Sequence, residues 1–390
     1  MAGGNLWIEA AELRHVRMRL KQPFETSFGV EHDRECLLIR IEGAGQAGWG
    51  ECVASGFPGY SYETVGTAWH VLEEFLVPAI LHQPLVGISG LRAHLASVRG
   101  HPMAKAGLEL ALWDWMGRVA NLPLVDLLGG RRTRVQVGVS IGIQSGVDTL
   151  LKVVESYLRQ GYPRIKLKIK PGHDLEPVRA VRQSFPGILL QVDANGGYDP
   201  AQFEQLLPLD EFELLLIEQP FAEEQLLAHA RLQERLATPI CLDESIGSEA
   251  EAQQALDLGA CRIINIKPGR VGGLSEAVAI HDLCRKADFP VWCGGMLETG
   301  VGRAANLALA TLPGFSLPGD ISATDRYYEE DIASPKFVLN SDGTIDVPTG
   351  AGLGITIDSG ALERMTVRRE RFTTGQPSSR STQSTENAPA

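Results

Sequence analysis

Five ionisable residues recur through the middle of the chain at nearly constant intervals. Lys168, Asp193, Glu218, Asp243 and Lys267 lie 25, 25, 25 and 24 residues apart. Each stands at or near the C-terminal end of a short apolar run, in RIKLKIK, LLQVDAN, LLLIEQP, PICLDES and RIINIKPG. A lone acid after an apolar strand is commonly a helix cap or a loop ion pair. Five in register mean more, because a buried ring of charges is strongly destabilising unless its members are paired or bind a cation. Asp193, Glu218 and Asp243 form an all-oxygen set for a hard divalent cation. Lacking histidine and cysteine, the set suits Mg2+ rather than zinc, with Mn2+ or another divalent cation able to substitute. Asn195 and Glu244, each beside one of these carboxylates, are candidates for orienting them.

The two lysines flank the carboxylate arc, one before it and one after. A lysine acts as a base only when its ammonium pKa is lowered, which desolvation and neighbouring positive charge both do. Lys166 and Lys170 supply such charge beside Lys168, whereas Lys267 must rely on a bound cation and a closed pocket. A divalent cation on a substrate carboxylate favours removal of the proton from the adjacent carbon. The expected chemistry is therefore proton abstraction alpha to a carboxylate, followed by loss of a leaving group or by reprotonation.

The elements that must position these groups follow from the pattern around them. Residues 7 to about 55 read as strands, with LWIEAAELRHVRMRL, a loop KQPFETSFGVEHDRE, then CLLIRIE returning through GAGQAG into WGECVA. Gly43 to Gly48 fit G-x-G-x-x-G, but a dinucleotide site needs a helix next and WGECV reads as a strand, so a hairpin is expected. Residues 62–119 are helical in pattern, and Glu109 and Asp114 are expected there as polar-face or capping groups. From residue 133 short apolar runs alternate with amphipathic helices, seven or eight times in about 190 residues, ending weakly at FSLPGD. That rhythm predicts a parallel barrel of βα repeats, whose C-terminal face carries the chemistry. In such a barrel Lys168 and Lys267, on the second and sixth strands, approach a central substrate from opposite sides. RIKLKIKPG then turns Ile165, Leu167 and Ile169 toward the helices and its lysines inward, leaving Lys170, nearest the rim, without a role. KFVLN, TIDVP and GITID are expected as strands returning to the N-terminal region, and the polar final segment as disordered.

Composition narrows the function classes. The chain has 390 residues, 44% of them hydrophobic, and a formal net charge of -12. That charge argues against nucleic acid and anionic membrane surfaces as partners. No run approaches a membrane span and the N-terminus lacks a basic segment followed by an apolar one, so a cytoplasmic protein is expected. The six cysteines, scattered without a CxxC pair, read as reduced packing residues.

As a set, FETSFG, GWGECVA, VGVSIGI, RIKLKIKPG, QVDAN, LLLIEQP, PICLDES, NIKPGRVGG, PVWCGGMLETG, GRAANLALA and LPGD resemble the enolase superfamily. The likeness is to its muconate lactonising subgroup, and within that to the o-succinylbenzoate synthase and N-acylamino acid racemase family. It covers the chain to about residue 365. The resemblance implies a modified (β/α)7β TIM barrel with an N-terminal α+β capping domain completed by a C-terminal segment. The expected division is 1–132 for the cap, 133–329 for the barrel, 330–368 for the returning segment and 369–390 for a disordered tail.

By the same resemblance, Asp193, Glu218 and Asp243 match metal ligands and Lys168 and Lys267 an acid/base pair. Ser140, Lys166, Asn195, Gly295, Met296, Leu297 and Asp320 match positions near the substrate. QPFETSFGV and VASGFPGYSYE match loops that close over it. The implied reaction is Mg-dependent dehydration of 2-succinyl-6-hydroxy-2,4-cyclohexadiene-1-carboxylate, as in menaquinone biosynthesis. The alternative is N-succinylamino acid or N-acylamino acid racemisation by two-lysine 1,1-proton transfer, and one protein can carry both. The partner is a small-molecule carboxylate, and a homo-oligomer is implied. PVWCGG lacks the histidine of the mandelate racemases, and LPGDIS, with Ser322 after Asp320, lacks the D-x-D pair of dipeptide epimerases. A non-catalytic binding barrel predicts a gap in the five-residue set, and there is none.

Overall fold

The structure is a computed structural model that describes residues 7–81 and 83–374. Its first layer is an antiparallel sheet of β1 (Ala10–Glu25), β2 (Val30–Gly43) and β3 (Gln46–Cys52). The β2–β3 connection is the expected hairpin: Gly43 faces Gln46, and Ala44 and Gly45 between them have φ of 50° and 72°. Two successive positive φ values are what a tight primed turn requires. The expected loop KQPFETSFGVEHDRE is mostly strand, because β1 and β2 continue to Glu25 and from Val30. The turn at their tip is held by Thr26 N–H donating to Gly29 O at 2.9 Å.

Helix α1 (Pro102–Ala120) packs on this sheet. Glu109 and Asp114 lie on it, but they are buried rather than on a polar face. Glu109 accepts from Ser275 N at 2.8 Å, and Asp114 accepts from Trp49 N at 2.8 Å and Leu353 N at 2.7 Å. Both fasten α1 to neighbouring segments of chain.

The second layer is a parallel sheet of seven strands in sequential order: β4 (Val139–Ile141), β5 (Arg164–Lys168), β6 (Leu189–Asp193), β7 (Ile217–Glu218), β8 (Ile240–Leu242), β9 (Ile263–Ile266) and β10 (Val291–Cys293). FSLPGD is not a regular strand, yet it bridges the two ends of this sheet. Ser316 N donates to Val291 O at 3.2 Å, Asp320 N to Cys293 O at 2.9 Å, and Gly138 N to Gly319 O at 2.7 Å. The curled sheet with surrounding helices is the expected modified TIM barrel, and the β-sheet layer at the N-terminus is its cap.

The C-terminal segment returns differently from expectation. Thr344–Asp346 pairs with Arg134–Gln136, and Thr356–Ile357 with Ala333–Ser334, while KFVLN forms no strand. The strand that joins the cap is β11 (Thr366–Thr373), antiparallel to β1. Residues 369–373 are therefore ordered rather than part of a disordered tail, and residues 375–390 lie outside the described residues. β11 reads TVRRERFT, without apolar alternation. Charge holds it instead: Arg369 pairs with Glu12 at 3.0 Å and Arg371 with Glu42 at 2.8 Å.

All six cysteines are free and buried, as packing residues. Among the described residues, no helix is long and apolar enough to cross a membrane.

One buried imidazole ties fold stability to the segment just after Glu218. His229 Nε2 accepts from Phe221 N at 3.1 Å, which requires the neutral ring, and burial lowers its pKa from 6.5 to about 4. A lowered pKa means that protonation favours the unfolded chain. The stability contributed is fully present above pH 6.5 and is lost as pH falls toward about 4. The loss should be of the order of 3 kcal/mol. Denaturant melts between pH 7.5 and 4.5 should show a shallower pH slope for His229→Gln than for wild type; equal slopes would remove His229 from the account.

Candidate active site

Strand register explains why a 25-residue period brings charges together. In the parallel sheet Lys168 lies directly opposite Asp193, and Asp193 opposite Glu218. Asp243 arrives two residues beyond Cys241, the partner of Glu218. Ile264 is paired with Leu242, so Lys267 emerges just above Asp243. All five side chains gather at one end of the barrel, under the cap.

The cationic groups interleave with the carboxylates. Lys168 Nζ is 2.6 Å from Asp193 Oδ2 and donates to Asn195 Oδ1 at 2.5 Å. Lys166 Nζ lies 3.0 Å from Asp193, 2.8 Å from Glu218 and 2.6 Å from Asp320. Lys267 Nζ pairs with Asp243 Oδ2 at 2.6 Å and donates to the Tyr60 hydroxyl at 3.0 Å. Lys168 and Lys267 thus hold the two ends of the arc. Between them Glu218 is fixed by Lys166 and by Asn265 Nδ2, which donates at 2.8 Å. Glu244 accepts from Asn195 Nδ2 at 2.8 Å, which makes Asn195 the link between Lys168 and Glu244.

The remaining expected residues line the same cavity, which measures about 480 Å³. Ser140, Gly295, Met296, Leu297 and Asp320 all border it. The Ser140 hydroxyl is buried and has no hydrogen-bond partner among the described residues, which leaves a polar group for a ligand. A side chain at Gly295 would come within 2.4 Å of the Asp320 carbonyl, so only glycine fits there. Both closing loops reach the cavity, through Phe24, Thr26 and Phe28 of the first and Ser55, Phe57 and Tyr60 of the second. The first loop is clamped to the barrel by Ile143 N donating to Glu25 O at 3.0 Å and by Lys170 pairing with Glu25 at 3.1 Å. Lys170 therefore has a place: it anchors the loop and does not face the barrel interior.

Several residues at the site were not picked out in the sequence. Tyr60 reaches Lys267 and also donates to Asp243 at 3.2 Å. Arg270 forms an ion pair with Asp243 Oδ1. Arg164 lies 2.6 Å from Asp320 and stacks on Trp292. Gln219 accepts from Asp243 N at 2.9 Å and donates to Ser245 at 2.7 Å, joining the IEQP and LDES loops. Arg164, Gln219 and Arg270 all sit inside motifs already singled out, one to three residues from a chosen group.

Electrostatics follow the packing. Burial raises the Glu218 pKa, and repulsion from Asp193 adds to it. Burial and the same neighbour push Glu244 up to about 7. Burial would also raise Asp193 and Asp320, but Lys168 and Lys166 on the first, and Arg164 and Lys166 on the second, hold both below the usual carboxylate range. For Lys267 burial acts to lower the pKa, yet Tyr60, Glu244 and Glu218 outweigh it and hold the ammonium above its ordinary range. Lys166 is raised too, by Asp320, Glu218 and Asp193 working against burial.

No group of three His, Cys, Asp or Glu side chains arranged to hold a metal ion occurs among the described residues, since lysines and Arg270 stand between the carboxylates. The donor chemistry nevertheless fits a hard cation. Asp193, Glu218, Asp243 and Glu244 offer oxygen alone, burial and then repulsion from Asp193 push Glu218 and Glu244 toward protonation, and Glu244 Oε2 is buried without a hydrogen-bond partner among the described residues.

Comparison with known proteins agrees with this geometry. Residues 8–129 match the mandelate racemase / muconate lactonizing enzyme N-terminal domain, and residues 149–361 the enolase C-terminal domain-like family. An o-succinylbenzoate synthase of Geobacillus kaustophilus is 52% identical over 360 residues, 92% of this chain and 96% of that protein. An N-succinylamino acid racemase of Amycolatopsis is 51% identical over 363 residues, 93% of this chain and 98% of that one. A crystallised enolase-superfamily member from Listeria innocua superposes with a TM-score of 0.91 at 41% identity, covering 95% of this chain and all of that one. A complete five-residue set on a capped barrel, with likeness of this extent to working enzymes, places the chain in the enolase superfamily, in its mandelate racemase and muconate lactonizing subgroup, as an enzyme closely related to both the o-succinylbenzoate synthases and the N-succinylamino acid racemases.

Proposed function

We propose that this protein abstracts the proton alpha to a carboxylate using Lys168 and Lys267, and that it acts as an o-succinylbenzoate synthase. In that reaction 2-succinyl-6-hydroxy-2,4-cyclohexadiene-1-carboxylate loses its alpha proton and a hydroxyl group, and the ring becomes aromatic. N-succinylamino acid racemisation is the second activity of the same site. The observation that carries the reading is the placement of two amines at the two ends of one carboxylate arc, under a cap that closes the cavity.

Asp193, Glu218 and Asp243 would hold Mg2+ or a similar divalent cation. When bound, that ion supplies Lewis-acid stabilisation of negative charge on the substrate carboxylate. Lys168, released from Asp193, takes the alpha proton. Lys267 offers its ammonium to the opposite face, where it stabilises charge during dehydration and delivers a proton during racemisation. Lys166, paired three ways, stays charged and keeps the arc compact. Tyr60 carries the cap onto Lys267 and shields it from water. Asn195 and Glu244 would orient Lys168 and the adjoining ligands. Ser140 and the Gly295–Leu297 backbone would receive the substrate, with Asp320 fixing Lys166.

The same reading keeps the division into cap, barrel and returning segment near residues 132 and 329, a cytoplasmic setting consistent with six free cysteines, and a homo-oligomer. The test offers purified protein with Mg2+ the cyclohexadiene acid and, separately, an N-succinyl-L-amino acid. The expected results are formation of the aromatic product from the first and loss of optical rotation from the second. Racemisation without aromatic product would sink the synthase assignment, and neither reaction would sink the site.

A further inference from the structure

Leu297 is held in a backbone conformation that its side chain disfavours. Its φ is 57°, in the left-handed region, where Asn195 at the same site also lies with a φ of 45°. Asparagine enters that region readily, but a bulky aliphatic residue is an outlier there, because Cβ crowds the backbone. Such strain persists only where the surrounding structure fixes the chain, and it gathers at binding sites. Leu297 borders the cavity, as do Gly295 and Met296 before it.

The residues that follow are fastened by contacts of their own. Glu298 O accepts from Arg303 Nη2 at 2.9 Å, Glu298 Oε1 accepts from Asn306 Nδ2 at 2.9 Å, and Thr299 Oγ1 donates to Glu51 at 2.7 Å. The Leu297 carbonyl has one donor among the described residues, the Tyr328 hydroxyl at 2.5 Å. Tyr328 is 1% exposed, and burial raises its phenol well above the usual range, so the hydroxyl stays a donor. It is Tyr327, not Tyr328, that borders the cavity. Relaxation of φ at Leu297 toward the ordinary region would rotate the peptide joining it to Met296, and with it the polar groups of that wall.

We infer that the Tyr328 hydroxyl pins Leu297 in the left-handed region and so aims the Met296–Leu297 backbone at the substrate. The inference rests on the proposed function, because it takes this turn to be a wall that receives the substrate. Tyr328 is a positioning residue: it acts through Leu297 and touches no reacting atom.

The experiment measures kcat and KM for alpha-proton exchange of N-succinyl-L-phenylalanine in deuterated water, with Mg2+ present, across a double-mutant cycle of Tyr328→Phe and Leu297→Gly. Tyr328→Phe keeps the buried ring and removes only the hydroxyl, so the variant should fold. It should raise KM about tenfold, the worth of one hydrogen bond, and change kcat far less. Glycine enters the left-handed region without the Cβ penalty, so in the Leu297→Gly background the same change should alter KM by no more than about twofold. Equal factors in the two backgrounds would overturn the inference, since a tyrosine that merely supports the fold acts alike in both. So would an unchanged KM in Tyr328→Phe. Absence of exchange in wild type would instead overturn the proposed function.

Discussion

Lys267→Ala should abolish racemisation of an N-succinylamino acid, with a loss of about 10²- to 10⁴-fold or more in rate. Lys267 is the group at the Asp243 end of the arc, 2.6 Å from that carboxylate and 3.0 Å from Tyr60. Without it one face of the substrate has no proton carrier, and inversion needs a carrier on each face. Asp243 would keep its ion pair with Arg270, so the variant should still fold. Chiral chromatography of product after long incubation is the readout. Racemisation that survives the substitution would show that one lysine serves both faces, against the two-base proposal.

The second large effect concerns the divalent cation. Exhaustive chelation should eliminate alpha-proton exchange, and millimolar Mg2+ should restore it. Stability should move with it. Asp193 and Glu218 are buried register neighbours in the sheet, and nearby Glu244 has one buried oxygen without a hydrogen-bond partner among the described residues. A cation at a hundredfold excess over its Kd stabilises the fold by about 2.7 kcal/mol. Added Mg2+ should therefore raise the melting temperature of wild type, and should do so far less in Glu218→Gln, which keeps its shape but loses a charge. A melting temperature unmoved by Mg2+ in wild type would contradict the ligand assignment, whatever the activity.

Much of the site was legible because its geometry is periodic. In a parallel sheet equal spacing becomes lateral adjacency, so Lys168, Asp193 and Glu218 could be placed side by side from sequence intervals alone. The same logic gave seven of the barrel strands and the weak closing run at FSLPGD. What escaped was of another kind. Tyr60 meets Lys267 across 207 residues, through a loop whose path depends on how the cap sits over the barrel. No local pattern encodes such a contact. β11 escaped because TVRRERFT lacks the alternation that marks a strand, its place being set by Glu12 and Glu42 on strands far away in sequence. Lys170 looked like a third interior lysine since it continues the alternation of β5, yet that strand ends at Lys168. The surroundings of Lys267 were hidden for a related reason. Burial lowers a lysine's pKa, but Tyr60, Glu244 and Glu218, which come from separate segments, act against it here.

The central claim is that Lys168 and Lys267 work on opposite faces of one alpha carbon. Its most direct measurement follows deuterium incorporation at that carbon by proton NMR, starting from each pure enantiomer of an N-succinylamino acid with Lys168→Ala and with Lys267→Ala. The account expects reciprocal behaviour: each variant exchanges the proton of one enantiomer only, the two variants differ in which, and neither interconverts them. Exchange of both enantiomers by either variant, or of the same one by both, would contradict it.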